Sequence, residues 1–218
     1  ALIRAILRKA CHDWEWVDKI PKIRLFPEPN RRIRWLPPEQ VKRLLNELPS
    51  HQRDIVIFAL STGLRQSNVI NLEWSQLDLD RKAAWIHPDQ AKARKAIHVP
   101  LNSVAIAVLL RQVGKHPSKV FTYRGAPIVW ANTRAWREAL KRAGIENFRW
   151  HDLRHTWASW LAQQGTPMNV LQELGGWESE EMVRRYAHLS KPQLMQHAEL
   201  VSNVLDDTIL SHQNEKRG

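Results

Sequence analysis

The sequence predicts a mainly α-helical chain with one small antiparallel β-hairpin, an α+β class. Apolar residues recur at helical spacing over most of the 218 residues. A single pair of short β-rich runs, AAWIH at 83–87 and AIHVP at 96–100, flanks the polar connection PDQAKARK. No strand–helix–strand series repeats, which argues against a doubly wound parallel sheet.

Taken in order, LIRAILRKACHDWEWV places Leu2, Ile3, Ile6, Leu7, Ala10, Trp14 and Val17 on one helical stripe. PKIRLFPEPNRRIRWLPPEQ follows, and its prolines fix φ and disfavour helix at the preceding residues, so it reads as a linker with the main domain starting near Arg31. Pro37 and Pro38 open a helix over EQVKRLLNEL. RDIVIFALSTG is an apolar helix closed by Gly63, and RQSNVINLEW a second, short one. After the hairpin, LNSVAIAVLLRQV is helical with Asn102 or Ser103 as its cap. KVFTY reads as a short strand. Helices are predicted over 132–143, 151–164, 167–174, 178–188 and 191–206, followed by a frayed tail.

Charge is the strongest bulk signal. Lys and Arg number 33 against 22 Asp and Glu, a formal +11, which points to an anionic partner. The excess is local: residues 81–137 hold eleven Lys or Arg and one acid, Asp89. A lone cysteine, Cys11, allows no internal disulfide and fits a reducing, intracellular home. No apolar run has membrane-span length, and no signal peptide is recognisable. The chain starts with Ala1 in the middle of a helical pattern, so it is expected to be a fragment of a longer protein.

The stretch WHDLRHTWASWL admits three readings. His151 and His155, four apart on one helix face, come close to the H-E-x-x-H zinc signature, with Asp152 in place of the glutamate. Against a metal, Arg154 would set a permanent cation beside a dication, and Asp152 reaches less far. His151 and Arg154 also suit a phosphate, because a guanidinium binds two phosphate oxygens through paired, charge-assisted bonds. The third reading is an ordinary core helix, with His155 buried and hydrogen-bonded. Phosphoryl transfer wants a second arginine from a distant stretch. Arg65, directly after STGL at a helix start, supplies one. No P-loop and no G-x-S-x-G elbow is present. The chain has eleven Trp but only two Tyr, Tyr123 and Tyr186, so phenol chemistry has two candidates.

Four motifs then occur in order: ALSTGLRQSNVINLEW, KARKAIHVPL, HDLRHTWASWL and LGGWESEEMVRRYAHLS. Together they resemble the tyrosine recombinase (phage integrase) catalytic domain over about residues 31–190, and imply its fold. Residues 1–30, with RAILRKACHDWEWVDKIPKIR, resemble the last helix of the family's core-binding domain plus the linker. Residue by residue, the resemblance makes Arg65 the first catalytic arginine. It makes Lys92 the catalytic lysine, with Lys95 close by as the other candidate. His151 and Arg154 become the H-x-x-R pair, Trp177 the residue that is histidine in most members, and Tyr186 the nucleophile. Tyr123 matches nothing in the pattern. Arg94, Lys95, Arg124 and Arg134 are the candidate DNA contacts.

The implied function is a site-specific DNA recombinase working through a 3′-phosphotyrosine, without metal, cofactor or ATP. Double-stranded DNA is the implied partner, with a tetramer on DNA in the full-length protein and no membrane. The implied home is the cytoplasm of a bacterial host, with the nucleoid. Residues 191–218 are expected to form a helix and tail that dock on a neighbouring protomer. Three rivals stand beside this reading: a type IB topoisomerase-like enzyme, a non-catalytic DNA-binding relative, and a zinc metallopeptidase.

Overall fold

The computed structural model describes residues 2–24, 33–91, 95–190 and 198–202. Backbone contacts divide the chain into two compact units, Ala1–Arg32 and Ile33–Gly218. In the first, α1 (Leu2–His12) ends earlier than its apolar stripe suggests. Glu15 takes a left-handed φ of 53°, and the Trp16 N–H folds back to the Ala10 carbonyl at 2.8 Å. Trp14 and Trp16 stack with centroids 4.7 Å apart.

The second unit is built around α3 (Ser50–Thr62), which is buried on nearly all sides. Ile55, Val56, Phe58 and Ala59 sit at its centre. Before it, α2 (Pro38–Glu47) starts on Pro38 and buries Val41 and Leu44. Gly63, at φ 65°, closes α3 with its N–H on the Ala59 carbonyl at 2.9 Å. The chain turns there into the short α4 (Gln66–Ile70).

The expected hairpin forms as β2 (Ala83–Ile86) and β3 (Ile97–Pro100), with Ala84 opposite Val99 and Trp85 opposite His98. The sequence reading missed β1 (Leu77–Asp78), which adds a third antiparallel strand on β2. Two residues are too few to show an alternating pattern. Next, α5 (Ser103–Leu110) is capped by Asn102, whose side chain accepts from Ala105 N–H at 2.9 Å. KVFTY yields only β4 (Thr122–Tyr123), paired with β5 (Ala126–Pro127). α6 (Arg134–Arg142) is capped by Thr133 and packs Trp136 against Phe148 and Trp150.

α7 (Asp152–Gln163) lies against α3 and is buried along most of its length, polar residues included. Thr156 Oγ1 accepts from Leu36 N–H at 3.1 Å, and Trp160 donates to the Leu36 carbonyl at 3.0 Å, which fixes the chain entering α2. α8 (Met168–Gly175) follows and ends at Gly176, φ 58°. A Cβ on Gly176 would come within 2.8 Å of Ile97 Cδ1, so β3 rests directly on this turn.

Residues 178–188 do not form the single helix expected. α9 (Glu181–Arg184) is one turn, followed by a 3₁₀ turn at Ala187–Ser190. Beside one i→i+4 bond, Arg184 to Glu180, the bonds run i→i+3: Val183 to Glu180, Tyr186 to Val183 and Leu189 to Tyr186, each 2.9 Å. That winding puts Val183, Tyr186 and Leu189 on one face, turned into a small second core with Trp157, Ala158 and Leu171. Of the helix expected at 191–206, only 198–202 lie within the described residues, and they are helical. No helix among the described residues is long and apolar enough to cross a membrane.

Candidate active site

Five of the residues singled out in the sequence, Arg65, His151, Arg154, Trp177 and Tyr186, line one open cavity of about 220 Å³. They reach it from separate stretches of the second unit.

Arg154 is the centre of the arrangement. It is 4% exposed, and its Nη1 donates to the Gly63 carbonyl at 2.7 Å and its Nη2 to the Gly175 carbonyl at 2.5 Å. Trp177 covers the guanidinium, with the ring centroid 4.1 Å from Cζ. Both glycines are forced choices. A Cβ on Gly63 would overlap the Trp157 ring, and one on Gly175 the Trp177 ring. A guanidinium has five N–H donors, so after two carbonyl bonds three remain for a ligand. Burial and the charge of Arg65 push the Arg154 guanidinium down to about 10.

Arg65 sits at the first position before α4, with extended backbone after the Gly63 turn. Its Nη1 is buried and has no hydrogen-bond partner. Burial lowers its pKa, and Glu178 at the cavity edge counteracts that in part. A buried cationic donor without a protein partner, on a side chain that lines a cavity, suits an anionic ligand.

His151 sits just before α7, makes no capping bond to it, and is exposed at the rim. Burial of the ring and the nearby Arg154 lower its pKa, so it is neutral at pH 7. Asp152 is not a base beside it. Its Oδ2 accepts from Arg149 N–H at 2.7 Å, turned into the protein. Among the described residues no group of three or more His, Cys, Asp or Glu is placed to hold a metal ion.

Tyr186 is 1% exposed, and its hydroxyl lies 2.5 Å from His155 Nδ1. Burial pushes the phenol up to about 12, against the opposing pull of Arg154 and Arg185. Burial, then His151, pushes the His155 imidazole down to about 4. Trp177 stands between Trp157 and Tyr186, with centroids 6.0 and 5.9 Å away.

Sequence reasoning left His155 without a chemical role and missed Glu178, Met182 and Arg185, which also line the cavity. Each of these three is within four residues of Trp177 or Tyr186, which was the available signal. Lys92 and Arg94 lie outside the described residues. Lys95 is not in this cavity but in an adjoining groove that shares Trp177 and Glu178 with it. Arg124, in the β4–β5 turn with its guanidinium 5.3 Å from the Tyr123 ring, does not line the cavity, nor does the exposed Arg134 at the start of α6. Tyr123 is far more open than Tyr186 and packs on His51 at 4.2 Å.

The chain is similar to several known proteins. The integrase of Salmonella phage P22 is 51% identical over the whole chain, which spans 60% of that protein's length. The crystallised catalytic domain of bacteriophage HP1 integrase is 27% identical, with a TM-score of 0.58 over 76% of this chain and 93% of that one. The Tn1549 transposon integrase, solved in complex with transposon right end DNA, has the same fold: TM-score 0.69 at 18% identity, over 91% of this chain and 76% of that one. The sequence model of the phage integrase family matches residues 34–193, the stretch that carries every residue of the cavity, and the chain belongs to that family.

Proposed function

We propose that this chain is the catalytic part of a site-specific DNA recombinase that cleaves and rejoins strands through a 3′-phosphotyrosine. The observation that carries the reading is the unpartnered, buried Nη1 of Arg65 in the same cavity as Arg154 and the Tyr186 phenol. Two cations from distant stretches face one nucleophile across a space that takes an anion.

Arg65 and Arg154 bind the non-bridging oxygens of the scissile phosphate and stabilise the charge that builds there. Tyr186 Oη attacks phosphorus, the O–P bond forms, and the bond to the 5′-oxygen breaks. The phenol proton passes to His151, neutral and open to solvent, and Lys92 protonates the leaving 5′-oxygen. Trp177 orients Arg154 and closes one side of the cavity. The covalent link keeps the phosphodiester energy, so rejoining needs no ATP.

The partner is double-stranded DNA, with Arg94, Lys95, Arg124 and Arg134 contacting its backbone. The full-length protein acts as a tetramer on DNA in the bacterial cytoplasm, associated with the nucleoid. Residues 191–218 dock on a neighbouring protomer, a role that the exposed Leu200 and Val201 fit. Residues 1–30 belong to a DNA-clamping domain and its linker.

The test is incubation with a randomised pool of nicked suicide duplexes, read as an SDS-resistant protein–DNA adduct. Tyr186→Phe abolishes the adduct and Tyr123→Phe does not. An adduct that persists in Tyr186→Phe, or none with the wild-type chain, overturns the reading. Pairwise strand exchange, rather than relaxation of supercoils alone, separates a recombinase from a topoisomerase.

A further inference from the structure

His155 has no part in the steps above, yet it touches the atom that reacts. Its Nδ1 lies 2.5 Å from the Tyr186 oxygen. We propose that His155 is a positioning residue, whose Nδ1 accepts the Tyr186 hydrogen bond and so fixes where the nucleophile waits in the arginine-lined cavity. The inference rests on Tyr186 being the nucleophile.

Three observations carry it. First, the Tyr186 ring is 1% exposed, and a phenol hydroxyl buried to that degree requires a partner. Arg154 lies in the same cavity, but the partner of the hydroxyl is His155, while Nη1 and Nη2 each give one N–H to a glycine carbonyl.

Second, the tie joins two parts of the site that lie 31 residues apart in the chain. Tyr186 rides on a short segment wound mainly on i→i+3 bonds. His155 rides on α7, next to Arg154, and α7 packs against α3. Neighbouring helical residues point about 100° apart, so one rigid helix aims Arg154 at the phosphate position and His155 at the phenol. A single helical step thereby sets the register between nucleophile and phosphate.

Third, the chemistry of the pair suits holding rather than proton removal. The imidazole, pushed down to about 4, stays neutral at physiological pH and keeps an acceptor lone pair if its proton is on Nε2. With the phenol pushed up to about 12, transfer of the proton to His155 is steeply uphill. The bond orients a neutral phenol and leaves its proton for the exposed His151 once phosphate has arrived.

Two replacements of His155 in the 218-residue chain separate this from packing. His155→Leu fills the space without an acceptor. His155→Asn fills it less well but places Oδ1 near the position of Nδ1. Single-turnover adduct formation on the nicked duplex pool is measured beside DNA affinity by equilibrium titration. The expected result is a loss of rate in His155→Leu of at least about tenfold, with affinity within about twofold, and recovery of most of that loss in His155→Asn. Wild-type rate in the leucine variant overturns the proposal, as does an asparagine variant equal to or slower than leucine. Tyr186→Phe run in parallel keeps the two readings apart: an adduct that needs Tyr186 but is indifferent to the leucine-for-histidine exchange overturns the role of His155 alone.

Discussion

The guanidinium of Arg154 donates to the carbonyl of Gly63 at 2.7 Å, across 91 residues of chain. With the second bond to Gly175, one side chain holds together the end of α3 and the end of α8. Lysine has a single ammonium and cannot span both carbonyls in that geometry. Arg154→Lys is expected to lower unfolding stability by about 3 kcal/mol as well as abolish the adduct. Urea unfolding followed by tryptophan fluorescence checks it. An unchanged midpoint would show that the two carbonyl bonds contribute nothing to the fold.

Arg65 behaves in the opposite way. Its buried Nη1 has no hydrogen-bond partner within the protein, so it carries a desolvation cost without return. Arg65→Gln is expected to reduce adduct formation by about 100-fold or more while the urea midpoint stays level or rises. A destabilised Arg65→Gln protein would mean that the side chain holds the fold rather than waits for an anion.

Gly63 and Gly114 both have positive φ, 65° and 79°, but only Gly63 has a neighbour where a Cβ would go. Gly114→Ala is expected to cost about 1 kcal/mol from backbone strain alone. Gly63→Ala adds overlap with Trp157 and is expected to cost about 3 kcal/mol or more. Thermal unfolding of the two variants side by side decides it, and equal Tm values would contradict the contact with Trp157.

Acid destabilises through the histidine pair. The folded state holds His155 neutral down to about 4, whereas the unfolded chain titrates near 6.5. Between those values the unfolded state binds more protons, so stability falls as pH drops, by up to about 3 kcal/mol, and is unaffected by this group above pH 7. His151, also lowered, adds in the same direction. Urea midpoints at pH 7 and pH 4.5 should converge in His155→Asn relative to wild type. The same spacing of midpoints in both proteins would place the histidine's titration elsewhere.

The candidate site was largely legible in the sequence and its connections were not. Arg65, His151, Arg154, Trp177 and Tyr186 could be read because each lies in a motif with fixed local spacing. The partner of His155 could not, since helical periodicity gives the face of α7 but not which segment, 31 residues on, comes to lie against it. The same limit applies to secondary structure. The α3 and α7 helices carry enough apolar positions to declare themselves. The two-residue strands do not, and the 178–188 segment looks α-helical because Val183 and Tyr186, three apart, fit either winding. Packing against the small core chose the tighter one.

The seat of Ile97 on Gly176 has a mechanical meaning. β3 leads out of the connection that contains Lys92, and Gly176 directly follows the carbonyl that Arg154 grips. Only the Ile97 side chain separates the sheet from the turn whose carbonyl the arginine holds. A bulkier residue at position 176 would therefore disturb two things at once, the seat of β3 and the carbonyl that holds the arginine.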